Sequence, residues 1–261
     1  MIDILWNTKG YFFWLLAASL LCFVLERLWP WRRTQKALRP QFGQDLFWLV
    51  FNGHYAGILV AHLGDALLRR VGLAGLGSRP GLLAQAPLWA QFAGLLVAKD
   101  FVEWCIHRLL HRVPLLWKFH QLHHSIREID WIGNFRFHWM EIVVYKGLSY
   151  LPLLLLGVNG QVILWIAVVS TLIGHLNHAN LRIDWGPLRY LLNSARLHVW
   201  HHDVELHHPY GQNFAIVFST WDWLFGTIYY PADVEQPARL GFEGDEQFPR
   251  GLLRRLIYPL P

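Results

Sequence analysis

Apolar residues run almost unbroken from Tyr11 to Leu28, from Leu46 to Val71 and from Ala86 to Ile106. Each run supplies the roughly 20 residues that a helix needs to cross a hydrocarbon core of about 30 Å. Two shorter runs, Ile142–Gly157 and Gln161–His175, are separated only by Val158, Asn159 and Gly160. At about 1.5 Å per residue neither crosses comfortably without its flanking turns, so the pair predicts a shallow helical hairpin. From about Asn177 to Pro261 no further span is expected. The segment Arg250-Gly-Leu-Leu-Arg-Arg-Leu-Ile predicts a short helix, either resting on a membrane surface by its apolar side or simply solvated.

Composition supports the membrane reading. The hydrophobic fraction is 54% and the charged fraction 16%, against roughly 45–50% and 25% in soluble domains. The 15 Trp and 9 Tyr suit a chain with amphipathic rings at headgroup depth. A formal charge of +5 fits anionic lipid or nucleic acid, and the apolar runs decide for the membrane. No nucleic-acid partner is expected. Cys22 and Cys105 both lie in apolar runs without CxxC spacing, which argues for packing residues and against thiolate metal sites.

The first run has a thin basic start, Lys9, and no small-x-small site before Glu26-Arg27, so a retained anchor is expected rather than a cleaved leader. Arg32, Arg33, Lys36 and Arg39 follow the first run; Arg69, Arg70 and Arg79 follow the second. That bias puts the first loop in the cytoplasm. Counting spans onward, the third run and the hairpin also end there. With no organelle signal or C-terminal retention motif visible, a bacterial inner membrane is the expected home.

Eight of the 15 histidines fall in three clusters: His107 and His111; His120, His123 and His124; His198, His201 and His202. Spacings of three and four put imidazoles on one helix face a turn apart. Neutral imidazole suits iron, zinc, copper and nickel. A catalytic zinc uses about three protein ligands, so eight are too many for one metal and predict a dinuclear site. Few carboxylates stand within the clusters, and a site beside lipid points to oxygen chemistry on an apolar substrate, which favours iron. Zinc outranks ferrous iron in intrinsic affinity and can occupy such a site in purified protein.

The run from Asp100 to Trp117, then His120-Gln-Leu-His-His-Ser, resembles the fatty acid hydroxylase / sterol desaturase superfamily. So do Phe137-His-Trp-Met-Glu141, His178-Ala-Asn180, His198-Val-Trp-His-His and Trp221-Asp-Trp-Leu-Phe-Gly-Thr227. The resemblance implies an all-α integral membrane helical bundle with a cytosol-facing helical cap holding a dinuclear metal site. It divides the chain into membrane helices over 1–97, a catalytic domain over 98–230 and a tail over 231–261. It implies a non-haem di-iron oxygenase that hydroxylates or desaturates a lipid with dioxygen and two electrons. Carried over by position, His107, His111, His120, His123, His124, His198, His201 and His202 are catalytic metal ligands. A ninth comes from His178, favoured by the His-Ala-Asn motif, or from His175 on the same helical side. Where the family often shows His-Pro-Leu-Glu, this chain has His138-Trp-Met-Glu141. Nothing in it resembles a fused haem domain, so a separate reductase, ferredoxin or small haem protein is the expected electron donor.

Around the clusters, His138 reads as ligand, outer partner or cap, and His54, His62, His207 and His208 as packing or loop residues. Asp100, two turns before His107, is expected to orient a histidine. Asp222 is expected to order a turn, Glu103 and Glu141 are further acidic candidates, and Arg108, Arg112 and Arg136 suit interfacial snorkelling or a lipid headgroup. Two other functions fit histidine clusters in a membrane chain. A zinc hydrolase would want H-E-x-x-H, which is absent. A metal transporter or sensor would place its ligands near mid-membrane, whereas these clusters sit at one interface.

Overall fold

The computed structural model describes residues 6–72, 83, 85–150, 152 and 156–260. Arg79, counted above in the second loop, and part of the first hairpin arm lie outside them. The described residues are helical, with no strand beyond two isolated bridges, Pro30 with Leu181 and Asp203 with Leu240.

Among the described residues three helices are long and apolar enough to cross a membrane: α1 (Tyr11–Leu28), α2 (Phe42–Arg70) and, after two further helices and a short one, α6 (Gly160–His178). Outward-facing Leu20, Leu21 and Val24 on α1 and Leu59, Leu63 and Leu67 on α2 are exposed, the surface a hydrocarbon solvent would cover. α3 (Leu88–Arg112) is longer, at 25 residues, but it buries Gln91, Lys99, Asp100 and Glu103. Those side chains keep it out of the apolar set, so the expected third span is a helix of a different kind. Conversely, α6 extends past the expected Gln161–His175 in both directions to 19 residues, about 28 Å at 1.5 Å per residue.

α1 and α6 pack side by side, pointing the same way. Tyr11 Oη lies 2.6 Å from Thr171 Oγ1, Ser19 Oγ lies 3.1 Å from His175 Nε2, and Pro30 bridges to Leu181. At its far end, Glu26 accepts the backbone N–H groups of Trp131 and Asn180 at 2.8 and 2.7 Å. α2 leaves this end through a wide π-type turn at Phe51–Tyr55. There Asn52 donates to the carbonyls of Phe135 and Phe137 at 2.9 and 2.7 Å, and a Cβ on Gly53 would come within 2.7 Å of Leu15. Glycine is what lets α1 and α2 meet here.

The remaining elements build a cap over that end. Pro114 opens α4 (Pro114–His124), its fixed φ and missing N–H suiting a first helical position, so α4 turns back tightly from α3. A short turn at Trp131–Phe135 leads to α5 (Trp139–Tyr145). Ser194 caps α7 (Ala195–His201), every residue of which is buried, and α8 (Thr220–Leu224) follows. Arg136 grips Asp45 through both carboxylate oxygens at 2.5 and 2.6 Å, and Arg39 joins Asp45 and Asp130 at 2.7 and 2.6 Å. Two arginines expected to meet lipid or solvent are therefore internal clamps. The last helix, α9 (Leu252–Ile257), packs Leu252 and Leu256 against a cluster holding Trp48, Leu122, Phe242 and Phe248. Its Arg255 is buried on Gln41 and Gln44 at 2.9 and 3.1 Å.

Candidate metal centre

The ends of α3, α4, α6 and α7 bring nine imidazoles together in two groups. His107, His111, His120, His124 and His201 form one; His123, His178, His198 and His202 form the other. Within each, one ring nitrogen per residue lies within 4.8 Å of every other. Only the i, i+4 spacing keeps partners in one group, as in His107/His111, His120/His124 and His198/His202. The i, i+3 pairs His120/His123 and His198/His201 are split between the groups, as are the neighbours His123/His124 and His201/His202. His175 joins neither. Its Nδ1 donates to the Trp131 carbonyl at 3.0 Å and its Nε2 meets Ser19 Oγ.

Hydrogen bonds on the outer nitrogens fix which nitrogen faces inward. Nδ1–H donates to a carbonyl from His107 (Phe214, 2.7 Å), His201 (Gln212, 2.8 Å) and His178 (Gly174, 2.8 Å). His120 Nδ1 meets Glu141 Oε2 at 2.7 Å. A carbonyl only accepts, so His107, His201 and His178 carry their proton outside and present a bare Nε2 inward; His120 does the same when Glu141 is ionised. Yet His107 and His120 Nε2 are 3.2 Å apart, His124 and His201 Nε2 3.0 Å, His123 and His178 3.2 Å, His198 and His178 3.1 Å, and His202 and His198 3.3 Å. With Glu141 ionised, no proton remains between His107 and His120 to bridge the two lone pairs. A shared cation at about 2.0–2.1 Å from each nitrogen sets neighbouring nitrogens about 3 Å apart. His111 Nε2 is also buried with no protein partner. The donor set fits two metal ions that prefer imidazole.

Burial keeps these imidazoles neutral, the form that binds metal. It pushes His107 down to about 4 against its Phe214 bond. His111, His120, His123, His124, His198, His201 and His202 lie well below the usual value, driven by burial and then by neighbouring rings. Burial also raises the Glu141 carboxyl, to about 8; a cation on the far nitrogen of His120 favours the carboxylate.

Several side chains have roles other than those expected. His138 caps α5: its Nδ1 accepts from Met140 N at 3.2 Å and its Nε2 donates to the Leu256 carbonyl at 3.0 Å. Glu141 completes the capping box by taking His138 N at 3.1 Å while its other oxygen holds His120. Asp100 touches no histidine; it accepts Val217 N, Phe218 N and Trp221 Nε1 at 2.8–2.9 Å. Asp222 orders its turn, taking Thr227 Oγ1 at 2.6 Å, Phe214 N at 3.0 Å and Ala215 N at 2.8 Å. Arg108 and Arg112 lie over the rings of Trp104 and Tyr210. His207 pairs with Asp203 and stacks on Tyr229, His208 meets the Ile228 carbonyl, and His54 packs on Phe12. Cys22 and Cys105 are free thiols.

Between the two histidine groups and the membrane-type helices lies a cavity of about 140 Å³. Its walls include His107, His123, His178 and His198, from both groups, with Phe135, Phe137, Ile142, Tyr145 and Ile216. Lys99 and Glu103 also line it, paired at 2.6 Å. Lys99 is not among the residues expected above to carry a role, although a lysine and a glutamate at i, i+4 in an apolar run signal just such a pair.

A family model described as fatty acid hydroxylase matches residues 92–227. The chain belongs to the fatty acid hydroxylase family. The ornithine lipid hydroxylase OlsE of Rhizobium tropici is 30% identical over 99% of this chain and 76% of its own length. Methylsterol monooxygenase 1 of Rattus norvegicus is 28% identical over 59% of this chain and 54% of its own. Alkylglycerol monooxygenase of Homo sapiens is 28% identical over 54% of this chain and 31% of its own. The chain thus spans three quarters of the bacterial relative and about half or less of the other two. No solved structure matches the chain. The matched region of the family contains all nine gathered histidines, and the relatives named are hydroxylases and monooxygenases of lipids.

Proposed function

We propose that the chain is a membrane-bound di-iron oxygenase that hydroxylates a lipid. The observation that carries this is the placing of two imidazole groups at the floor of a largely apolar cavity that opens among membrane-type helices. The nine ligands are His107, His111, His120, His124 and His201 for one iron and His123, His178, His198 and His202 for the other. Iron held there would supply the redox chemistry that lets dioxygen react with an unactivated C–H bond. Overall, the C–H bond and dioxygen, with two electrons and two protons, become a C–OH group and water. A separate reductase, ferredoxin or small haem protein delivers the electrons.

The chain's own residues bind, orient and exclude water. Phe135, Phe137, Ile142 and Ile216 give the cavity a surface on which an alkyl segment replaces water. Phe214, Gln212, Gly174 and Glu141 fix four imidazoles in the tautomer that turns Nε2 inward. Hydroxylation is preferred to desaturation because desaturation requires a second hydrogen abstraction from tightly controlled geometry. The histidine end of the bundle faces the cytoplasm of a bacterial inner membrane. That orientation is supported by the basic segment Arg32–Lys36 at the end of α1, which runs toward the histidines.

Iron-loaded protein in bilayers, given a reductant, membrane lipid extract and isotope-labelled dioxygen, tests the reading. One labelled oxygen atom in a lipid product is expected. Lipid that loses two hydrogens and gains no oxygen would reassign the enzyme as a desaturase. Oxygen taken from water without dioxygen would reassign it as a hydrolase.

A further inference from the structure

Lys99 and Glu103 form an ion pair where an alkyl-binding wall needs none. Lys99 Nζ donates to Glu103 Oε2 at 2.6 Å and reaches Ser170 Oγ at 3.4 Å, and both residues are buried. Buried pairs of this kind add little stability over apolar residues of the same size, so packing alone does not account for this one. Lys146 lines the same cavity. Its Nζ lies 4.5 Å from the centroid of the Tyr150 ring, and Lys99 Nζ lies 5.0 Å from the same centroid. Two ammonium groups and one carboxylate therefore border a single cavity.

Size and position narrow what enters. A cavity of about 150 Å³ accepts a molecule like benzene, so the 140 Å³ here suits a compact polar group and not a full acyl chain. Chain-sized space lies farther along α6. Residues 160–169 of that helix border a groove of about 1150 Å³ with Trp14, Leu88 and Phe92, whereas residues 170–178 border the small cavity. Along α3, Glu103 and Lys99 precede His107 by one and two turns, about 6 and 12 Å at 1.5 Å per residue. Moving away from the metal groups, the order is histidines, charged band, apolar groove.

We propose that Lys99, Lys146 and Glu103 are the receptor for an amino-acid-like polar group on the lipid, its carboxylate on the lysines and its ammonium on Glu103. The acyl chain then trails into the groove, and the carbon that is oxidised lies within a few bonds of the polar group, not in mid-chain. This assignment rests on the lipid-hydroxylase reading for its reaction, but the receptor itself is tested by binding alone.

The test titrates three probes into the metal-loaded protein in detergent micelles, following tryptophan fluorescence: N-palmitoyl-ornithine, N-palmitoyl-glycine and hexadecanol. N-palmitoyl-ornithine is expected to bind about tenfold or more tighter than hexadecanol. Glu103→Gln is expected to abolish the preference for N-palmitoyl-ornithine over N-palmitoyl-glycine, while the Lys99 ammonium it frees still holds the carboxylate of both. Lys99→Met is expected to weaken both amides and spare hexadecanol. The double variant Lys99→Met/Glu103→Gln leaves no unpaired buried charge. It should keep its metal content and hexadecanol affinity and lose the preference for ornithine. Equal affinity for ornithine and alcohol probes in the unaltered protein would overturn the receptor, as would a preference that survives in the double variant. Discrimination without dioxygen-dependent hydroxylation would leave the receptor standing and remove the reaction. Mid-chain hydroxylation without discrimination would do the reverse.

Discussion

The Asp222 carboxylate accepts the backbone N–H of Phe214 at 3.0 Å, and the carbonyl of the same Phe214 takes the Nδ1–H of His107 at 2.7 Å. A residue outside both metal groups thus sets the tautomer of a ring inside one. Asp222 also takes Ala215 N and Trp104 Nε1 at 2.8 and 3.0 Å, so one buried carboxylate fixes the strand of backbone that faces α3. Removing such an outer partner typically costs 10- to 100-fold in metal affinity or activity, roughly the loss expected for Asp222→Ala. Asp100→Ala loosens the same segment three residues farther on, at Val217, and should cost less. Metal content by mass spectrometry over a chelator series compares the two. Equal retention in Asp222→Ala and the unaltered protein would show that His107 needs no such support.

Metal stoichiometry separates the two groups. Protein made with iron supplementation should carry about two metal ions per chain. His111→Ala and His202→Ala, one from each group, should each lose about one. His175→Ala should keep both, because His175 is engaged with Ser19 and Trp131 instead. Removing the metals should lower the unfolding midpoint, since a ligand at 100 times its Kd stabilises the folded state by about 2.7 kcal/mol per site. A His175→Ala protein short of one metal would contradict the grouping.

The helices and the histidines that the fold gathers were legible because both depend on local spacing. Apolar runs mark α1, α2 and α6, and four-residue steps mark imidazoles that share a group, whereas the three-residue steps His120/His123 and His198/His201 cross between the two. Choosing between His175 and His178 was beyond spacing, because both lie on one side of α6. Tertiary partners decide: Ser19 and Trp131 occupy His175, and His178 points at His123 and His198. The supports from Phe214 and Gln212 are backbone carbonyls, which no residue type announces. His138 reads as a potential ligand from its chemistry alone, yet Glu141 three residues later was the sign of a capping box. Asp100 lies on the expected face of α3, but that face meets the Val217 segment before it meets a histidine.

The clamp between α2 and the cap gives a prediction about stability alone. Arg136 and Asp45 are both within about 1% of full burial on their side chains and share two hydrogen bonds. Breaking a buried pair by removing one partner costs about 3–5 kcal/mol, because the other charge stays buried. Arg39 still faces Asp45 at 2.7 Å, so Arg136→Ala should fall in the lower half of that range. Arg182→Ala removes an exposed partner of Glu235 and should cost about 1 kcal/mol or less. Denaturant unfolding in mild detergent measures both. Similar midpoints for the two variants would mean that the cap is held by its apolar packing and not by this clamp.

Gly211 tests how tightly the backbone must approach a ligand. Its φ of +111° is a conformation L-residues rarely adopt, and an added Cβ would lie 3.3 Å from His111 Nδ1. Gly211→Ala therefore combines backbone strain, of order 1–3 kcal/mol, with pressure on a ring whose Nε2 has no protein partner. Gly244, at φ +82°, has open space where its Cβ would go, so Gly244→Ala carries the strain without the contact. Both variants should lose stability. Only Gly211→Ala should also lose the metal held by His107, His111, His120, His124 and His201 while keeping the other. If Gly244→Ala sheds metal to the same extent, strain in the cap rather than displacement of His111 governs retention, and the close approach at Gly211 has no special part in holding the site.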